Sequence, residues 1–107
     1  IVVGAPGGSV IISAVLQSIL NIVDFGMSPL EAVTVPRIHC EGGAIHVEAR
    51  VQEDVCRQLV KVGHEVKQSA ISLDPLMSRA HVVQISADGS WRGGSDPRGG
   101  GGMAVAY

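Results

Sequence analysis

Aromatic residues are nearly missing from this chain: Phe25, Trp91 and Tyr107 are the only three in 107 residues. Cationic residues are also few, with eight Lys and Arg against ten Asp and Glu. No basic stripe interleaved with aromatics exists, which argues against nucleic-acid binding. Two cysteines, Cys40 and Cys56, are too few for a disulfide framework, and their spacing fits no zinc motif. Long hydrophobic runs are missing as well. Val10 to Val23 is too short to span a bilayer, and Ser13, Gln17 and Asn21 interrupt it. The start at Ile1 has no basic leader and no cleavage pattern of a signal peptide. It has no Met either, which points to a processed subunit, a proteolytic fragment or a cut chain.

What is present is aliphatic, and a chain of this length can bury one core. Ile1 to Val3 reads as a short buried strand and Gly4 to Gly8 as a turn. Ser9 is the expected N-cap of a helix running to about Phe25, with Gly26 as the residue that ends it. The polar residues Ser13, Gln17, Asn21 and Asp24 form one narrow stripe on that helix. The rest of its surface is therefore expected to be buried. So apolar a helix implies a packing layer that this chain supplies only in part. Ser28-Pro29-Leu30-Glu31 is a capping box with proline at the first helical position. Pro36 must end that helix near Val35.

Ala44 to Glu48 alternates as a strand. Gln52 to Val62 places Val55, Leu59 and Val62 on one helical face, closed by Gly63, and Glu65 to Lys67 is a short strand. Ala80 to Ser86 and the segment around Trp91 flank an Asp88-Gly89 hairpin turn. Ser95 to Arg98 reads as a turn, Gly99 to Gly102 as a mobile low-complexity run, and Met103 to Tyr107 as a last strand. The order is β-α-α-β-α-β-β-β, an α+β class.

The chemistry concentrates in Gly4-Ala5-Pro6-Gly7-Gly8-Ser9. A strand, a glycine turn and a helix start bring free backbone N–H groups and the positive end of a helix dipole to one point. That favours a phosphate, a carboxylate or the oxyanion of a tetrahedral intermediate. The alternative is a tight turn with no ligand. No Lys-Ser/Thr follows the last glycine, and the glycine spacing is not that of a dinucleotide loop. Nor is the pattern Gly-x-Ser-x-Gly, so Ser9 is a poor nucleophile candidate.

His39, Cys40, Glu41, His46 and Glu48 include metal-ligand types. Their alternation along extended chain instead favours ordinary strand residues. Arg37, Asp88, Asp96 and Arg98 read as turn residues with local ion pairs, and Arg98 has the option of a carboxylate elsewhere. No complete Ser-His-Asp or Cys-His set is legible.

Several pieces in series resemble one family. GAPGGSVIISAVLQSILNIVDFGMSPLEAV is followed by Pro36-Arg37-Ile38-His39, then Val47-Glu48, then LVKVGHEV, QISADGSWRGGSDPR and the terminal Ala106-Tyr107. Together they resemble the C-terminal part of the small subunit of gamma-glutamyltranspeptidases, which are N-terminal nucleophile hydrolases. The resemblance implies an αββα four-layer sandwich built from a precursor that cuts itself into two subunits. Residues 1–107 would be one segment of the small subunit, incomplete as an independent catalytic domain. Its partners would be the rest of that subunit and the large subunit, with no cofactor, metal or membrane contact from this segment.

The resemblance implies a Thr nucleophile, at the head of the small subunit and outside this chain, that attacks gamma-glutamyl amides such as glutathione. Gly7 and Gly8 would donate backbone N–H bonds to the oxyanion, and this chain alone would be inactive. A periplasmic or extracellular address is the family's habit. Related acylases acting on cephalosporins or poly-gamma-glutamate, and a non-catalytic module of the same fold, are the alternatives. Two places depart from the family: Cys40-Glu41 after His39, and the glycine run Gly99 to Gly102.

Overall fold

The computed structural model describes residues 1–100, 102, 103 and 105. Most of the helices and strands expected from the sequence are found, with a few additions, but the first strand, expected to be buried, is exposed, with Val2 72% accessible. β1 (Val2–Gly4) leads through the glycine turn into α1 (Val10–Val23) and then α2 (Pro29–Thr34). The chain continues through β2 (Ile38–His39), β3 (Ile45–Val47), α3 (Glu53–Lys61) and β4 (Val66–Gln68). A 3-10 turn at Pro75–Met77 precedes the hairpin of β5 (His81–Ile85) and β6 (Trp91–Ser95), and another at Pro97–Gly99 follows it. The two-residue β2 and the turn at Pro75–Met77 were not legible in the sequence. Most of the expected strand 103–107 lies outside the described residues.

The strands form two three-stranded sheets, ordered β1-β5-β6 and β2-β3-β4. The first is antiparallel, with Val2 opposite Val83 and Val82 opposite Gly94. In the second, β3 and β4 run parallel, because α3 carries the chain back between them. Each sheet has its own apolar cluster. Ile22, Val33, Ala80 and Val82 gather between α1, α2 and the first sheet. Ile45, Val47 and Cys56 gather between α3 and the second.

The capping box of α2 forms as its sequence dictates. The Ser28 hydroxyl accepts from Glu31 N–H, and the Glu31 carboxylate accepts from Ser28 N–H at 2.8 Å. Gly94 of β6 lies against Pro29 so closely that a Cβ there would strike its backbone. Glycine at this point lets α2 lie directly on the sheet.

Three further expectations are corrected. Ser9 occupies the N-cap position of α1 but has helical angles, and its side chain makes no capping bond. Apart from the exposed Asp24, the polar stripe of α1 turns toward neighbouring backbone. Gln17 Nε2 donates to Ile38 O and Gln17 Oε1 accepts from Ile38 N–H, Ser13 Oγ meets His39 Nδ1 at 2.8 Å, and Asn21 donates to Ala32 O. These polar groups satisfy the short strand and helix beside them. The exposed face is apolar instead, with Ile12 73%, Leu16 53% and Val23 67% accessible. In α3 the inward residues are Cys56 and Leu59, while Val55 and Val62 are exposed, because the short β4 covers only one side of that helix.

Candidate active-site loop and the ionic cluster behind it

The glycine loop sits at the surface between β1 and α1. Gly7 and Gly8 are both exposed and both have positive φ, 124° and 64°. A side chain is strained at either angle. Among the described residues, neither the Gly7 nor the Gly8 N–H donates to a protein acceptor. The Gly8 carbonyl accepts from Ile11 N–H at 3.2 Å, so the pair opens directly into the first turn of α1. A cleft of about 370 Å³ opens beside this helix end, lined by Val10, His39, His46, Lys67, Leu76 and Met77. Val10 reaches that cleft, but the two glycines are not part of its lining.

Ser78 lies beneath the loop. Its hydroxyl donates to Pro6 O, and a Cβ on Gly7 would lie 3.3 Å from Ser78 Oγ. Among the described residues Ser78 is the only non-glycine residue with positive φ, at φ 66°, ψ −179°. This region belongs essentially to glycine and costs a serine on the order of 1–3 kcal/mol. Arg37 helps to hold it there, because its Nη1 donates to Met77 O at 3.2 Å and to Ser78 O at 3.3 Å.

Arg37 belongs to a buried ionic cluster that the sequence did not announce as one. Glu48, Asp96, Arg37 and Arg98 are all nearly inaccessible. Arg98 donates to Glu48 through Nε at 2.6 Å and Nη2 at 2.5 Å, and to Asp96 through Nη1 at 3.0 Å. Arg37 Nη1 meets Asp96 Oδ2 at 2.6 Å. Two cations and two anions cancel, which is the condition for charges to be tolerated away from water.

The remaining lone pairs and protons are also used. Glu48 accepts from Arg37 N–H and Asp74 N–H, and Asp96 accepts from Ala80 N–H and Arg98 N–H. Both guanidinium groups donate to Val33 O, and Arg98 also donates to Val35 O, so cations satisfy the C-terminal carbonyls of α2. Only Arg37 Nε is buried without a partner among the described residues.

The proton affinities follow from this arrangement. Burial acts against the charge of Asp96, but the N–H groups of Arg98 and Ala80 and the two guanidinium groups outweigh it. They hold the Asp96 carboxyl below its ordinary value. Burial likewise opposes the charge on Arg98, yet Glu48 and Asp96 raise it. Arg37 goes the other way: burial first, and then the neighbouring Arg98, lower it.

Asp96 and Arg98 form the turn-pinning ion pair expected from sequence, at 3.0 Å, but together with Arg37 they also reach beyond their turns. They join the first sheet and α2 to the end of β3. Asp88 sits in its turn as read, but among the described residues it accepts from Ser90 rather than forming an ion pair. Arg98 does find its distant carboxylate, Glu48. Among the described residues no three His, Cys, Asp or Glu side chains converge as a metal site. His39 contacts Ser13 and lies 3.3 Å from Glu41, while His46 is exposed on β3. The missed signal is that Pro36-Arg37, Val47-Glu48 and the Ser95 to Arg98 motif, far apart in sequence, meet at this cluster.

A family model described as Gamma-glutamyltranspeptidase matches residues 1–106. The glutathione hydrolase proenzyme of Escherichia coli is 35% identical over 98 residues, covering 92% of this chain and 16% of that protein. The acylase ACY 1 proenzyme of a Pseudomonas species is 41% identical over 66 residues, covering 62% of this chain and 12% of that protein. A crystal structure of a gamma-glutamyltranspeptidase variant from Helicobacter pylori superposes with a TM-score of 0.74 at 35% identity, covering 90% of this chain and 52% of that one. The chain thus spans about a sixth of the length of the Escherichia coli protein. Its α+β architecture is that of the N-terminal nucleophile hydrolases, and the chain belongs to the gamma-glutamyltranspeptidase family.

Proposed function

We propose that residues 1–107 are the C-terminal portion of the small subunit of a gamma-glutamyltransferase or hydrolase, and that Gly7 and Gly8 form its oxyanion hole. The observation that carries this reading is the exposed glycine pair at the head of α1, whose N–H groups donate to no protein acceptor among the described residues. A threonine at the head of the subunit adds through its hydroxyl to the gamma-glutamyl carbonyl, and its own amine takes the proton. The carbonyl oxygen becomes an anion that the two amides receive. Collapse expels the protonated leaving amine and leaves an acyl ester, which water or an acceptor amine then resolves. Side chains at 7 and 8 would stand where the anion must sit.

The remaining parts come from the same precursor. The apolar face of α1 at Ile12, Leu16 and Val23, and the exposed edge strand β1 with Val2 72% accessible, are what a fold looks like where further layers and strands belong. On this reading the nucleophile belongs to another part of the subunit, so residues 1–107 alone are expected to be inactive.

The test uses the full precursor, matured and assayed with a chromogenic gamma-glutamyl anilide. Valine at both Gly7 and Gly8 should lower the rate by at least ~10²–10³, the usual effect of losing one oxyanion donor. An unchanged rate overturns the role. The 41% identity to an acylase proenzyme supports a second reading, a different acyl group on the same machinery. Turnover of a glutaryl amide with no turnover of the gamma-glutamyl anilide would select it.

A further inference from the structure

We propose that Ser78 is a positioning residue that aims the oxyanion-hole amides. The inference rests on the reading of Gly7 and Gly8 given above and extends it to a residue that no sequence feature singled out. In a trans peptide the carbonyl and the following N–H point in opposite directions. Pro6 O and Gly7 N–H belong to one such unit. The Ser78 hydroxyl pins Pro6 O inward, toward the body of the protein. The same bond therefore turns Gly7 N–H outward. The Gly7 φ of 124° then sets the next peptide plane, and Ser78 Cβ and Oγ occupy the space on which Gly7 rests. A side chain in the left-handed region persists only where its surroundings over-determine it. Here the 3-10 turn at Pro75–Met77 precedes it, Arg37 holds its carbonyl, and its hydroxyl is committed to Pro6.

Ser78→Ala keeps the Cβ and the backbone angles and removes only the pin. In the matured full-length enzyme it should lower kcat by about 10- to 100-fold, somewhat less than outright loss of a donor. KM should stay within about twofold, since ground-state binding is untouched. A boronic acid that forms a tetrahedral anionic adduct on the nucleophile should lose affinity by the same factor as kcat. A parental kcat overturns the proposal. So does a lowered kcat with undiminished boronate affinity, because that pattern belongs to a structural defect elsewhere. If S78A does not mature, Ser78→Cys, with a similar shape and a weak donor, is judged by the same two readouts. Replacement of Gly7 and Gly8 separates the levels. If the glycine variants lose activity and S78A does not, only the role of Ser78 falls. If the glycine variants keep activity, the oxyanion reading itself falls.

Discussion

Arg98 grips Glu48 from fifty positions away, with Nε on one carboxylate oxygen and Nη2 on the other, and both side chains are closed off from water. This fork spans the gap between the two apolar clusters. Removing one partner of such a pair leaves a buried charge uncompensated, which typically costs about 3–5 kcal/mol. Glu48→Gln in the full precursor should therefore lower the unfolding free energy measured in urea by about 3–5 kcal/mol. Arg98→Lys should be nearly as damaging, because an ammonium cannot reproduce the planar fork. Arg37→Lys should cost less, since Arg37 already leaves its Nε unpaired.

Acid should loosen the same cluster. The folded Asp96 carboxyl lies below its ordinary value. A group depressed in this way contributes stability that is complete above the unfolded pKa, near 3.8. That contribution is lost as pH falls through the folded value. Unfolding free energy measured between about pH 5 and pH 2 should fall in the parent. Asp96→Asn should be less stable at neutral pH and show a shallower decline over that window.

The two loop glycines should not respond alike to small replacements. Gly8 has φ 64° and open space where a Cβ would go, an angle that asparagine tolerates. Gly7 has φ 124° and Ser78 Oγ in the way. Gly8→Asn should leave the melting temperature of the precursor close to parental, while Gly7→Ala should lower it. Differential scanning calorimetry of the two variants checks the order.

The apolar face of α1 gives opposite outcomes in two contexts. Leu16→Lys with Val23→Lys should keep residues 1–107 in solution better than the parent, because exposed apolar surface drives association. The same pair in the full precursor should reduce the yield of matured enzyme, seen on a denaturing gel. Equal yields would show that nothing covers this face.

The cap of α2 offers a clean local test. Ser28→Ala removes the oxygen that accepts from Glu31 N–H and should cost about 1 kcal/mol. Chemical denaturation of the precursor checks it.

Much of this was legible in the residues. The capping box, the proline that stops α2, the Asp88-Gly89 turn and the glycine loop are short-range devices, and each is written within a handful of positions. The errors were of another kind. Ser13, Gln17 and Asn21 look like a solvent face when α1 is drawn alone, yet the neighbours of that helix expose backbone groups that need partners. Val55 and Val62 share a helical face with Leu59, but β4 is too short to cover them. Arg37 and Arg98 sit beside prolines in what read as loops, and nothing local says that Glu48 is waiting.

Local pattern thus determined where the capped and turn-bounded elements lie, and which backbone amides a pair of glycines leaves bare, because those outcomes depend on angles and on hydrogen bonds a few residues long. Long-range assembly decided the rest: the convergence of Arg37, Glu48, Asp96 and Arg98, the inward turn of a polar helix stripe, and the seat that Ser78 makes for Gly7. A charge is buried only where distant segments bring its counter-charge, and that meeting exists only once the chain has folded.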